Sequence, residues 1–240
     1  MNILISVIAY NEEKSILSTI QDLKNNNFGY DIVVIDNGSN DQTAEICRIN
    51  NIHCISHCIN SGGSMGTVMT YFMNGYRLNY DIICQFDGDG QHIASELPKI
   101  IQPIIDGKAD YVIGSRFMDE NKNGFQSTFL RRVGIRLFSA IVSFIMGVQI
   151  TDVTSGFRAY NKKVMELYAK RVRIELHDVN QLLLLSHFNE MKIVEVSTLM
   201  RERAAGNSEF DILNSLIFPV KGIINILGCY LQKKDIRKKK

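Results

Sequence analysis

Short apolar runs alternate with helix-like segments along the N-terminal part of the chain. Residues 3–8 (ILISVI) form an uninterrupted aliphatic run typical of a buried strand, and residues 11–25 follow with helical spacing. Further strands are predicted at 32–35, 54–56 and 82–86, with helices at 43–49 and 66–78 between them. This alternation predicts repeated strand–helix–strand units, and therefore an α/β fold with a mostly parallel sheet flanked by helices.

Polar residues follow the predicted strands directly. Tyr10 and Glu12 come after the first strand, Asp36 after the second, and Asp87 and Asp89 after strand 82–86. Because ligands of such sheets bind beyond the carboxyl ends of the strands, we expect a binding site at this edge.

The later half of the chain is less regular. It predicts strands at 109–113 and 193–199 and a long helix at 131–146. No linker-like segment separates two folded units. We therefore expect one domain over residues 1–210, followed by an amphipathic C-terminal helix and basic tail over 211–240.

The sequence Asp87-Gly88-Asp89 places two carboxylates on a glycine-containing turn. Carboxylate oxygens are ligands that Mg²⁺ and Mn²⁺ prefer, and both ions keep waters and substrate phosphates in their shell. Gln91 is a third candidate ligand. The alternative is an ordinary solvated turn, since Asp and Gly both favour turns.

A glycine-rich segment at residues 60–66 (NSGGSMG) opens the helix predicted at 66–78. Such loops let backbone N–H groups approach phosphates, which makes Gly63 a candidate for contact with a nucleotide. The segment lacks the Lys-Ser/Thr ending of a P-loop and the full dinucleotide-binding pattern, so it is weak evidence alone.

Six motifs occur in order along the chain: IAYNEE (8–13), VIDNGSND (34–41), NSGG (60–63), QFDGDGQH (85–92), IGSR (113–116) and TDVTSGFR (151–158). Together and in this order they resemble family 2 glycosyltransferases, in particular the dolichyl/undecaprenyl-phosphate branch. The resemblance covers roughly residues 1–210. It implies a GT-A fold, a nucleotide-diphosphate sugar donor, a divalent metal (Mg²⁺ or Mn²⁺) and inversion at the anomeric carbon.

The resemblance also implies roles for single residues. The base and ribose would be held by Ala9, Tyr10, Glu12 and Asp36, with Asn37 beside them. The metal and diphosphate would be held by Asp87, Asp89 and Gln91. Phosphate groups would be faced by Arg116 and Arg131, and the acceptor side would be bordered by Asp152, Ser155, Gly156 and Arg158.

Two positions depart from the family pattern. Many members have a second aspartate where this chain has Asn37, which keeps hydrogen bonding but loses charge. The branch also has an acidic stretch before a Leu-rich helix, where residues 177–181 read HDVNQ and only Asp178 is acidic. Base selectivity and acceptor or sugar specificity are therefore expected to differ.

The nature of the acceptor decides what chemistry is needed. A hydroxyl acceptor requires a general base, for which Asp152 is the candidate. A lipid phosphate is already ionised near neutral pH, so Asp152 would then only orient groups, and arginines would carry recognition. We expect Arg131 and Arg158 to recognise phosphate.

The distribution of charged and apolar residues indicates which partners the chain can bind and whether it contacts a membrane. Residues 233–240 hold six of the 27 basic residues and one of the 25 acidic ones, so the remainder carries a net charge of −3 and is not expected to bind nucleic acid. The apolar run at 137–150 is too short to span a bilayer and is expected to be partly core and partly membrane-facing. Polar residues interrupt the run at 212–231, which is expected to lie along a membrane surface.

These observations favour a cytoplasmic protein, peripheral on the inner face of the cell membrane. No secretory leader pattern is present, and five cysteines fit a reducing compartment. We allow for a small membrane-spanning partner protein.

Three functions are compatible with this sequence. The first is transfer of a sugar to a polyprenyl phosphate, the second is transfer to a saccharide hydroxyl in cell-surface polysaccharide synthesis, and the third is a catalytically silent nucleotide-sugar-binding subunit.

Overall fold

The computed structural model describes residues 1–60, 65–118, 129–171 and 179–201, together with 225, 226 and 228. Its strands are β1 (Ile3–Ala9), β2 (Asp31–Asp36), β3 (Cys54–Ser56), β4 (Ile82–Asp87), β5 (Tyr111–Ser115), β6 (Arg158–Asn161) and β7 (Ile193–Ser197). Its helices are α1 (Ile16–Asn25), α2 (Thr43–Ile49), α3 (Met65–Arg77), α4 (Leu97–Ile105), α5 (Phe129–Met146), α6 (Lys162–Arg171) and α7 (Val179–Phe188).

The seven strands form one sheet in the order β3-β2-β1-β4-β6-β5-β7. All neighbours pair in parallel except β6, which runs antiparallel to both β4 and β5. The predicted α/β fold with a mostly parallel sheet is therefore confirmed. The sequence did not predict β6, α4, α6 or α7.

Alternate residues of the central strands feed two hydrophobic cores, one on each face of the sheet. In β2, Val33 and Ile35 join the core shared with α3, α5, α6 and α7, whereas Val34 joins the core shared with α1, α2 and α4. Side chains alternate between the faces of a strand, so a strand covered by helices on both sides is apolar throughout. The four leucines at residues 182–185 are buried in the core on the α7 side of the sheet.

The helix predicted at residues 11–25 begins only at Ile16. Asn11 has φ 55°, in the left-handed region, so the chain leaves β1 in a turn instead of continuing into a helix. The polar residues after β1 are thereby kept in a loop at the carboxyl edge of the sheet, where the candidate site lies.

Candidate active site

The carboxyl ends of β1, β2 and β4 lie level with one another. Ala9 pairs with Asp36 across β1 and β2, and Ile8 pairs with Asp87 across β1 and β4. The strand register therefore brings the predicted nucleoside residues and the predicted metal carboxylates to one edge of the sheet, as expected.

The loop after β2 is organised around Asp36 and Asn37. Asp36 Oδ1 accepts hydrogen bonds from the Ser39 backbone N–H (3.1 Å) and from the Ser39 hydroxyl (2.5 Å). The Asn37 backbone N–H donates to the Ala9 carbonyl at 2.9 Å, and its side-chain amide donates to Asn60 Oδ1 at 3.0 Å. Asp36 is 2% and Asn37 6% exposed, so both side chains mainly hold the loop in shape.

The loop after β1 is tied to the loop after β2. The Glu12 backbone N–H donates to Thr43 Oγ1 at 2.8 Å, and the Ser15 hydroxyl donates to Glu12 Oε2 at 2.6 Å. The Asn11 backbone N–H donates to Ser39 Oγ at 2.9 Å. Glu12 is 7% exposed and Ala9 1%, whereas Tyr10 is only half-buried. Among the predicted nucleoside residues Ala9, Tyr10, Glu12 and Asp36, Tyr10 is the one that is partly exposed.

Of the two carboxylates of the predicted metal site, Asp87 is the last residue of β4 and Asp89 lies on the turn that follows it. Gly88 donates its backbone N–H to the Ile8 carbonyl at 2.8 Å, and a Cβ at this position would come within 2.9 Å of that oxygen, so the turn requires glycine. Asp89 Oδ1 accepts the Gln91 backbone N–H at 3.0 Å. The side chain of Asp87 is 38% exposed, and Asp89 and Gln91 are also partly exposed.

The side-chain oxygen atoms of Asp87, Asp89 and Gln91 are suitable ligands for a hard divalent cation. Two carboxylates and an amide oxygen are all oxygen ligands of the kind Mg²⁺ and Mn²⁺ take. Among the described residues no group of three or more His, Cys, Asp or Glu side chains is arranged to hold a metal. A cation at Asp87 and Asp89 would therefore draw further ligands from water or a bound phosphate.

His92 is buried directly behind the metal carboxylates. Its Nδ1 accepts the Asp87 backbone N–H at 2.9 Å, and its Nε2 lies 3.5 Å from Asp87 Oδ2. The ring packs against Phe86 and Phe157, with centroid distances of 5.1 and 4.7 Å. Burial lowers the pKa of His92 to about 4, so the ring is neutral at physiological pH and supports the turn through its neutral form.

Arg116 and Asp152 form a buried ion pair beside this turn. Arg116 Nε and Nη2 donate to the two Asp152 carboxylate oxygens at 2.6 and 2.8 Å, and Nη2 also donates to Thr154 Oγ1 at 2.9 Å. Burial by itself would raise the pKa of Asp152, but the charge and hydrogen bonds of Arg116 outweigh it and hold that pKa below its usual value. Burial by itself would lower the pKa of Arg116, but the charge and hydrogen bonds of Asp152, with a smaller contribution from the charge of Asp87, raise it.

The geometry of Asp152, the candidate general base for a hydroxyl acceptor, bears on the choice between the two expected acceptors. The side chain is fully buried, and both carboxylate oxygens accept hydrogen bonds from Arg116. A base must come within hydrogen-bond reach of the proton that it removes. The described arrangement is better suited to the alternative expected for a phosphate acceptor, in which Asp152 only orients neighbouring groups such as Arg116.

Glu195 holds the backbone next to the Asp152–Arg116 ion pair. This residue was not singled out from the sequence. Its carboxylate accepts the backbone N–H groups of Thr151 (3.0 and 2.8 Å) and Asp152 (2.8 Å). Burial, the largest influence, raises the pKa of Glu195 despite these hydrogen bonds. A glutamate between the aliphatic residues of β7 was the signal that could have revealed it.

Arg158 also departs from expectation. It was predicted to face phosphate, but it is fully buried at the start of β6. Its guanidinium donates to the carbonyls of Ser155 and Val153, each at 2.6 Å, and to the Tyr111 hydroxyl. Arg158 therefore braces the chain between Asp152 and β6 and does not present a phosphate-binding surface.

Three further predictions concern residues that the structure does not describe in full. Arg131 lies in α5, but nothing is described of its side chain. Gly63 and the 177–181 stretch up to Asp178 lie outside the described residues, as do residues 211–224 of the predicted C-terminal helix and the basic tail. Their proposed roles stay predictions.

Comparison with known proteins identifies the family. A sequence profile for Glycosyl transferase family 2 matches residues 4–168. The chain belongs to this family. It is 32% identical over 207 residues to the UDP-N-acetylglucosamine–dolichyl-phosphate N-acetylglucosaminyltransferase of Methanococcus voltae, with 78% of this chain and 81% of the relative covered.

This family 2 glycosyltransferase also resembles a second sequence relative and a solved structure. It is 26% identical over 196 residues to the polyprenol monophosphomannose synthase of Mycolicibacterium smegmatis, with 74% of this chain and 69% of the relative covered. Glucosyl-3-phosphoglycerate synthase of Mycobacterium tuberculosis, solved with Mn²⁺, uridine diphosphate and glucosyl-3-phosphoglycerate, matches with a TM-score of 0.72. At 17% identity, over 95% of this chain and 79% of that one, this match shows the fold alone and confirms the expected GT-A architecture.

Proposed function

We propose that this family 2 glycosyltransferase transfers a sugar from a nucleotide-diphosphate sugar to a polyprenyl phosphate, with inversion at the anomeric carbon. Two relatives are named for transfer to dolichyl phosphate and for polyprenol monophosphomannose synthesis. The observation that carries the choice of acceptor is the burial of Asp152 in its ion pair with Arg116.

The donor would lie across the carboxyl ends of β1, β2 and β4. Tyr10 and the loop of Asp36 and Asn37 would receive the nucleoside, and the diphosphate would reach the turn of Asp87 and Asp89. These two carboxylates, with Gln91, would hold Mg²⁺ or Mn²⁺. When bound there, the cation neutralises the charge that develops on the departing diphosphate.

The acceptor would attack from the side of Arg116 and Asp152. A phosphate monoester is ionised near neutral pH and needs no proton removed, so a buried Asp152 is compatible with it. A saccharide hydroxyl would need an accessible base. The buried pair of Asp152 and Arg116 therefore favours the lipid phosphate over the saccharide hydroxyl.

The enzyme would work at the cytoplasmic face of the membrane as a peripheral protein. Among the described residues, no helix has the length and apolar character needed to cross a bilayer. On α5, Phe138 and Val142 are buried, while Leu137 is 54% and Phe144 90% exposed, which supports the expected division into a core face and a membrane face. A small membrane-spanning partner protein stays part of the proposal.

The test is transfer of radiolabelled sugar from a panel of nucleotide-diphosphate sugars to three acceptors: a polyprenyl phosphate, the same polyprenol without phosphate, and an oligosaccharide. The expected result is label in the organic phase with the phosphate alone. Label in the oligosaccharide would favour the hydroxyl acceptor. Nucleotide-sugar binding with no transfer to any acceptor would favour a silent subunit.

A further inference from the structure

The backbone of Gly156 lies directly against the carboxylate of Asp87. A Cβ atom built on Gly156 would come 2.6 Å from Asp87 Oδ2, 2.9 Å from Oδ1 and 3.1 Å from Cγ. Separations below 3.0 Å are essentially never seen for real Cβ atoms. Gly156 is not among the described residues with positive φ, so contact with Asp87, not backbone conformation, is what calls for glycine here.

The chain around Gly156 is held too firmly to move aside. Ser155 donates its hydroxyl to the Gly114 carbonyl at 2.6 Å, and Gly114 returns a backbone hydrogen bond to the Phe157 carbonyl at 2.8 Å. The Ser155 carbonyl accepts from Arg158 Nε at 2.6 Å. Ser155, Phe157 and Arg158 are all fully buried. A shift of this segment would disturb all of these contacts together.

The side chain of Asp87, by contrast, is partly exposed to solvent. Its backbone is fixed by pairing with Ile8 in β1 and by the hydrogen bond to His92 Nδ1 at 2.9 Å. The side chain itself is 38% exposed and its Oδ2 lies 3.5 Å from His92 Nε2, so rotation outwards would exchange contacts such as this one for solvent. A methyl group at position 156 would therefore displace the carboxylate and leave the strand in place.

We propose that Gly156 is a positioning residue for the metal carboxylate of Asp87. By lacking a side chain it leaves the space that the carboxylate occupies, and so sets where Asp87 meets the cation. This inference rests on the proposed metal role of Asp87. It gives the segment between Asp152 and Arg158, which the resemblance placed beside the acceptor, a direct part in shaping the donor side.

The experiment measures Mn²⁺ binding to the full chain by electron paramagnetic resonance, without any turnover. Gly156→Ala should weaken Mn²⁺ binding about tenfold, the lower end of what changes behind a metal ligand usually do. Gly134→Ala is the matched control, since a Cβ at Gly134 in α5 would meet nothing within 4 Å. That control should bind Mn²⁺ as the unaltered chain does.

The outcomes separate this inference from the proposed function. If Asp87→Ala abolishes Mn²⁺ binding while Gly156→Ala leaves it unchanged, the positioning role is wrong and the metal role stands. If the unaltered chain does not bind Mn²⁺, or Asp87→Ala binds it equally well, the metal role fails and the positioning role with it.

A rescue experiment covers the case in which Gly156→Ala lowers stability. The clash is with the Asp87 carboxylate, so adding Asp87→Ala removes the clashing atoms. The melting temperature of the double variant should then return to that of Asp87→Ala alone. A loss of stability that persists in the double variant would overturn the proposal, because it would place the conflict elsewhere.

Discussion

Arg116 Nε and Nη2 donate to the two carboxylate oxygens of Asp152 at 2.6 and 2.8 Å, and both side chains are buried. The two residues are 36 positions apart in the sequence. One follows β5 and the other precedes β6, so their pairing depends on the antiparallel contact of those two strands. This buried ion pair holds the positively charged guanidinium of Arg116 where it interacts electrostatically with Asp87.

The first prediction concerns the contribution of this pair to stability. Asp152→Asn leaves the Arg116 guanidinium buried without its counter-charge, so the free energy of unfolding should fall by about 3–5 kcal/mol. Urea denaturation at neutral pH measures it, with Asp106→Asn as the exposed control. A variant that keeps its stability but loses turnover would restore Asp152 as a catalytic base.

The pH dependence of the pair gives a second prediction. Arg116 lowers the pKa of Asp152, so the pair stabilises the fold fully above the unfolded-state pKa, and this stabilisation is lost as the pH falls through the folded-state pKa. The difference in unfolding free energy between the unaltered chain and Asp152→Asn should hold from pH 7 to about 4 and shrink below that. Denaturation at a series of pH values measures it, and a difference that grows on acidification would contradict the assignment.

The metal carboxylates give a third prediction. Asp89→Asn should reduce turnover by orders of magnitude, while the free energy of unfolding changes by no more than about 0.5 kcal/mol because the turn is partly exposed. Addition of EDTA should have the same effect on the unaltered chain, and added Mn²⁺ or Mg²⁺ should reverse it. Asp106→Asn, before β5 and so at the opposite edge of the sheet, should leave turnover unchanged. Full activity in EDTA would rule out the metal role.

Two arginines allow phosphate recognition to be separated from structural support. Arg158→Lys should lower the free energy of unfolding by about 1.5–3 kcal/mol, because lysine cannot reproduce the buried hydrogen bonds to Ser155, Val153 and Tyr111.

Arg131→Lys should instead raise the acceptor KM with little change in nucleotide affinity, since the planar guanidinium suits phosphate oxygens. Steady-state kinetics and urea denaturation of both variants measure this, and unchanged acceptor kinetics in Arg131→Lys would remove its assigned role.

The sequence predicted the local features of this protein well and the long-range ones poorly. Strands β1, β2 and β4 were predictable because a strand buried on both faces is mostly apolar, and Asp36 and Asp87 mark the ends of two such strands. Strand β6 was missed because it is only four residues long and begins with the charged Arg158.

Burial of charged side chains was the other failure. Asp and Arg are rarely buried unless they are paired, so Asp152 and Arg158 were both expected to face a bound substrate. Their burial follows from partners that come from distant parts of the chain, among them Arg116, Tyr111 and the support of Glu195. No spacing within the sequence indicates such contacts.

The C-terminal segment carries the last prediction, that it holds the enzyme at the membrane. Of this segment, residues 225, 226 and 228 are described. Ile226 is 1% exposed within the hydrophobic core, and the Asn225 carbonyl accepts a hydrogen bond from Gln181 at 3.2 Å. The segment is therefore joined to the folded body at this point, and truncation after Cys229 should leave the fold intact while removing the basic tail.

The measurement is co-sedimentation with vesicles that contain anionic lipid. Each Lys or Arg near such a surface contributes about 1 kcal/mol, and the tail at 233–240 has six. The full chain should bind at low salt and dissociate as salt rises, whereas the truncated chain should bind much more weakly. Vesicles of neutral lipid are the control for the charge effect. Equal binding of both chains, or binding of neither at low salt, would show that the tail does not anchor the enzyme and would assign the membrane contact to a partner protein.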